Sequence, residues 1–123
     1  MDNNNRADNL KEKLKLALNS TAKVISDDFS INEDQEQNKD LKKSSFFELE
    51  KLETKKDFIK ARAESDSSAL KRKFSNDIIY KKNLPSNLSC KSLYSIAEKI
   101  RYESLGAKML KGIEKNLKEN YNQ

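Results

Sequence analysis

Both glycines of this 123-residue chain, Gly106 and Gly112, fall inside one stretch, Ala97 to Leu117, "AEKIRYESLGAKMLKGIEKNL". The stretch is otherwise rich in strong helix formers, with apolar residues at steps of three and four, and so reads as an amphipathic helix. A glycine in a helix interior costs about 1 kcal/mol relative to alanine. Two in one helical run, and none elsewhere, call for a reason. The missing Cβ atoms can let another backbone or a bulky side chain approach closely. The helix can instead break near Gly106, or the groove left by the missing side chains can receive a partner. The residues alone leave all three readings open.

Periodicity predicts helices over most of the chain. The first runs from about Asp8 to Ser26, with a stripe of Leu10, Leu14, Ala17 or Leu18, Thr21, and Val24 or Ile25, and with Asp8 as N-cap. Asp27 and Asp28 fit its end. The next runs from about Lys55 to Tyr80, with Phe58, Ile59, Arg62, Ala63, Ala69, Leu70, Phe74 and Ile78 on its inner side. "ESDSS" in its middle is a soft spot, because Ser and Asp compete for backbone hydrogen bonds, and it predicts a kink or a boundary. Pro85 pushes Leu84 out of helical geometry, and Ser86 or Ser89 can cap the last helix. That helix runs from about Cys90 to Asn120, with a stripe of Leu93, Ile96 or Ala97, Ile100, Ala107, Leu110, Ile113 or Leu117, and Tyr121. Between the first two helices, "NEDQEQNKD" reads as part of a mobile polar loop over about 30–45. "FSI" and "FFELEKL" alternate, which allows a short β-hairpin near 28–52 or an irregular segment, with a helical alternative open. The expectation is a single mainly α domain over 1–123, with three to four helices.

Hydrophobic residues make up 35% and charged residues 37%, with a mean hydropathy of −0.96. Such a chain has a thin core, and self-association is expected. Residues 1–40 hold 6 Lys and Arg against 9 Asp and Glu, so the net charge of +5 arises in the rest of the chain. That basic surface suits an acidic partner or nucleic acid. "KKSS", "ALKRKF" and "YKKN" lie near Phe74 and Tyr80 and support a small nucleic-acid binder as the alternative, although acidic residues interleave throughout. There is no histidine, and Cys90 is the only cysteine. This excludes an internal disulfide, a His/Cys zinc site and histidine-dependent acid–base or nucleophilic catalysis. No apolar run approaches the ~20 residues of a membrane span, and "MDNNNRADN" does not read as a signal peptide, so a cytoplasmic location is expected. No phosphate-binding G-x-x-x-x-G-K-[ST] loop is present. Glu98 and Arg101 are spaced to pair along one helix face, whereas Glu98 and Glu103 do not share a face. No catalytic, cofactor or metal site is expected in this chain.

The segment "LYSIAEKIRYESLGAKMLKGIEKNL" resembles the signature of the T subunit of aerobic cobaltochelatase through Leu93-Tyr94, Glu98, Arg101, Glu103, Gly106, Met109, Gly112 and Asn116-Leu117. "ARAESDSSAL" resembles a second block of that family at Arg62, Asp66, Ser67, Ala69 and Leu70, with Ala63 where the family usually has Gly and Ser65 where it has Ala. "LKLALNSTAKVIS" resembles its first helix, so the likeness extends over about 10–121. The resemblance implies a non-catalytic subunit or fragment of an ATP-dependent complex that inserts cobalt into hydrogenobyrinic acid a,c-diamide during cobalamin biosynthesis. Its implied partners are an AAA+ ATPase subunit, which would bind ATP and Mg, and a large chelating subunit that handles the corrin with its cobalt. A reduced, for instance phage-borne, homologue working with another AAA+ motor is a variant of that reading. The family's von Willebrand A-type domain is expected to be absent: its Asp-x-Ser-x-Ser loop has no counterpart, since "DSSAL" lacks the final serine. Glu98, Arg101, Glu103, Gly106, Gly112, Arg62 and Asp66 are the expected interaction or packing cluster.

Overall fold

The computed structural model describes residues 2–29 and 52–123. They form five α-helices in chain order: α1 Asp2–Ser26, α2 Lys55–Phe74, α3 Asp77–Asn83, α4 Leu88–Met109 and α5 Lys111–Tyr121. The chain is mainly α, and no strand occurs among the described residues. The polar loop over about 30–45 lies outside the described residues, as does the hairpin option near 28–52 apart from its ends.

Two expected helices are each divided. Ser75 and Asn76 both adopt extended backbone between α2 and α3, and the Asn76 side chain accepts hydrogen bonds from Ile78 N–H and Ile79 N–H. An asparagine that satisfies two first-turn donors is a strong helix start. The break near the family signature falls at Leu110, which is extended at φ −138 and ψ 122. Gly106 is therefore an interior residue of α4, and its carbonyl accepts from Leu110 N–H at 3.0 Å. Asn87, rather than Ser86 or Ser89, caps α4 by accepting from Ser89 N–H and Cys90 N–H. Asp8 lies inside α1, which starts at Asp2. The polar first turns carry no apolar stripe to mark that start.

The helix boundary allowed at "ESDSS" is not found, and α2 runs unbroken through it. The reason is that α2 is the central helix: Ala61, Ala63, Ser65, Asp66, Ser67, Ala69 and Leu70 are all buried. These positions spread around most of the helix circumference, against α1, α4 and α5. Ser67 and Asp66 direct their polar groups to side chains of other helices and not to their own backbone. The core is completed by Ala22 and Ile25 of α1, Tyr102 of α4, and Ile113 and Leu117 of α5, with Phe74 packed against it.

The stripe of Leu93, Ile96 and Ile100 faces solvent, with 69%, 57% and 59% of each residue exposed. The fold turns Tyr102, Glu103 and Gly106 inward instead. Ile78 on α3 is likewise exposed, and α3 buries no residue. It meets α4 through Tyr80 and Tyr94, whose ring centroids are 5.1 Å apart.

At the start of α2, Thr54 and Asp57 form a reciprocal capping box, with Asp57 N–H donating to Thr54 Oγ1 at 3.2 Å and Thr54 N–H donating to Asp57 Oδ2 at 2.9 Å. Thr54→Ala is expected to lower stability by about 1 kcal/mol in urea unfolding, while Thr54→Ser retains it. Equal midpoints for the two variants would show that the cap contributes nothing.

Candidate functional site

The expected cluster distributes over three places where α2 meets its neighbours. The first is a close crossing of α2 and α4. A Cβ built on Gly106 would lie 2.9 Å from Leu70 Cγ and nearer still to both methyl groups. Leu70 is 0% exposed and has no room to move aside. Gly106 is therefore glycine because α2 approaches α4 there. Beside it, the buried Glu103 carboxylate ties three helices together. Ser67 Oγ of α2 donates to Oε1 at 2.6 Å, and Tyr121 OH of α5 donates to Oε2 at 2.6 Å. Lys99 Nζ stands 3.9 Å from Oε1 at the solvent edge. Burial of its hydroxyl, together with the adjoining Glu103 carboxylate, pushes the Tyr121 phenol up to about 12.

The second place is the C-terminus of α2. Arg101 Nε donates to Glu98 Oε2 at 2.8 Å, and its Nη2 donates to Glu98 Oε1 and to the Phe74 carbonyl, both at 2.7 Å. Ser75 Oγ donates to Glu98 Oε1 at 2.8 Å. A guanidinium on a last-turn carbonyl also complements the negative end of the α2 dipole. The hydrogen bond from Arg101 is the main cause holding the Glu98 carboxyl at about 2, below its ordinary 4.5. The same bond raises the Arg101 value.

The third place is a groove of about 490 Å³ between α1, α2 and α5. Asp66, only 4% exposed, lines it and accepts from Asn116 Nδ2 at 2.7 Å. Burial pushes the Asp66 carboxyl up, against the opposing effects of the Asn116 hydrogen bond and the Arg62 charge. Gly112 also lines this groove, and a Cβ built on it meets nothing within 4 Å. Arg62 is exposed and borders a separate depression near the start of α2.

Five of the seven expected residues, Glu98, Arg101, Glu103, Gly106 and Asp66, thus lie at contacts between helices. Arg62 and Gly112 do not pack. Sequence reasoning singled out neither Ser75 nor Asn116 as part of the site. It assigned Tyr121 to an apolar stripe, where its hydroxyl gave a signal of polar use. Among the described residues no three His, Cys, Asp or Glu side chains come together as a metal-binding group, and no helix is long and apolar enough to cross a membrane.

The two glycines should respond oppositely to alanine. Gly106→Ala forces overpacking against Leu70 and is expected to cost about 1–3 kcal/mol, whereas Gly112→Ala should be neutral or add up to ~1 kcal/mol. Chemical denaturation reads both, and a stable Gly106→Ala would contradict the crossing. The acid response follows from Glu98. Its folded value is depressed, so the stability it contributes is complete above its ordinary 4.5 and is lost as pH falls toward about 2. Asp66 acts in the opposite sense, since a raised carboxyl favours the folded state as pH falls. Glu98→Gln should therefore flatten the decline of the thermal midpoint across that acid window. Parallel declines in the variant and the wild type would rule out the Glu98 contribution.

A family model described as "Cobalamin biosynthesis protein CobT" matches residues 8–123. No significant match is found among curated proteins or among solved structures. The match spans all five helices and includes each of the three contact sites, so the chain belongs to the family of the cobalamin biosynthesis protein CobT.

Proposed function

We propose that this chain is a non-catalytic subunit of the ATP-dependent aerobic cobaltochelatase. It docks on the AAA+ ATPase subunit and helps to couple it to the large chelating subunit that inserts cobalt into hydrogenobyrinic acid a,c-diamide. In this reading ATP and Mg are held by the ATPase, and the corrin and cobalt by the large subunit. The observation that carries the proposal is the family match over residues 8–123.

The outer face of α4 fits the same role. Leu93, Ile96 and Ile100 succeed one another at helical spacing and stand exposed. Burying the part of each that is still exposed contributes about 1–2 kcal/mol. Three such side chains are of the right order to carry much of the ~8 kcal/mol of a micromolar complex, before the costs of association. The ATPase subunit is the proposed occupant of this face.

Size-exclusion chromatography with light scattering, on the chain mixed with the AAA+ ATPase of the same source, tests the proposal. The expected result is an ATP-dependent complex containing both proteins, lost in an Ile96→Lys/Ile100→Lys variant that keeps its helical circular dichroism. A folded chain that forms no complex in either nucleotide state would overturn the docking role. Runs without the ATPase read self-association, which the thin core favours.

A further inference from the structure

The groove between α1, α2 and α5 has a chemistry that the packing of the fold does not account for. Its walls include Val24, Leu110 and Ile113. Its polar groups face it largely as acceptors. Ser20 Oγ donates its proton to the Leu16 carbonyl and Thr21 Oγ1 donates to the Ala17 carbonyl, both at 2.9 Å, which leaves each oxygen with free lone pairs. Asn116 uses an amide N–H on Asp66 Oδ2 and keeps its own carbonyl oxygen as an acceptor. The other Asp66 oxygen, Oδ1, accepts no hydrogen bond among the described residues. No side-chain polar atom there is both sealed from solvent and unpartnered, so Oδ1 keeps some exposure, and Asp66 is one of the residues that line the groove. Arg62 acts on Asp66 only through space, without an ion pair.

Gly112 adds a second, independent observation. It carries the helix penalty of a glycine, yet its φ is not positive and no described residue occupies the space a side chain would take. Its absent side chain keeps the groove open to an approaching backbone.

We propose that this groove receives a lysine side chain of a partner protein, with the ammonium on Asp66 Oδ1 and the methylene stem along Val24, Leu110 and Ile113. A donor-only cation matches a set of acceptors that carries one negative charge. Lysine is preferred to arginine because Oδ1 is the one Asp66 oxygen without a hydrogen-bond partner among the described residues, and a single such acceptor suits a compact ammonium better than a planar two-pronged guanidinium. The partner's main chain passes over Gly112. The proposal rests on the groove alone and does not depend on the ATPase reading.

The test is a methyl-resolved NMR titration of the full chain with n-butylammonium chloride, monitoring Val24, Ile113 and the Gly112 amide. Saturable shifts on the order of millimolar affinity are expected, as suits so small a ligand. n-Butanol, with the same stem and no charge, should bind at least about tenfold more weakly. Asp66→Asn, verified as folded from its amide spectrum, should abolish the difference between the two probes. A short blocked peptide with one central lysine should bind more tightly than butylammonium, lose affinity when that lysine is acetylated, and be excluded by Gly112→Leu. Equal binding of butanol, or full binding to Asp66→Asn, would overturn the site. Shifts caused by acetate in place of the amine would also overturn it, since an anion would be using the first-turn N–H groups of α5, which Leu110 does not cap. A peptide that binds no better than butylammonium would refute the protein partner and leave a small amine as the ligand.

Discussion

The contact of Leu70 with the bare backbone of Gly106 sets the spacing on which the other helix contacts depend. It brings α2 and α4 close enough for Ser67 to reach Glu103, and it fixes which side of α4 turns inward. With α4 rotated this way, Tyr102 and Glu103 join the core while Leu93, Ile96 and Ile100 are left outside. At the far end of α2, the Glu98–Arg101 pair holds the same two helices together through the Phe74 carbonyl. A close apolar crossing and a hydrogen-bonded clamp thus act on one helix pair from neighbouring turns.

The core compensates for its small apolar content by hydrogen bonding across helices. Glu103 and Asp66 are buried carboxylates, and burying a charge without partners is strongly unfavourable. Each has a partner from a distant part of the chain: Ser67 and Tyr121 for Glu103, Asn116 for Asp66. Directional contacts of this kind fix the relative register of α2, α4 and α5 more tightly than a smooth apolar seam does. They also make the core sensitive to the loss of a single hydroxyl or amide.

Much of this was legible in the sequence. The helical class, the end of α1 near Asp27 and the importance of the glycine-bearing segment follow from periodicity and propensity. The break points were less legible, because Asn76 caps a helix from within a run that otherwise looks continuous, Asn87 stands between the two serines read as caps, and Leu110 carries no capping side chain at all. The face of α4 was misread because periodicity identifies an apolar stripe but not its orientation. Here the stripe lies outward, and a glycine, a glutamate and a tyrosine face in. In α2 the buried positions are mostly Ala, Ser and Asp, so a search for large apolar residues finds little there. The resemblance found Gly106 and Gly112 together, and only the geometry separates them: one is filled by Leu70, the other faces open space.

The run of small buried residues along α2 has a consequence for how this chain can vary. Ala61, Ala63, Ser65, Ser67 and Ala69 leave almost no volume to exchange, since enlarging any one of them displaces a neighbouring helix. The outward residues of α4 and α3 are under no such steric limit from the fold. Sequence drift is therefore channelled to the periphery. The outer surface can be remodelled while the spacing of the bundle stays set by small residues along α2.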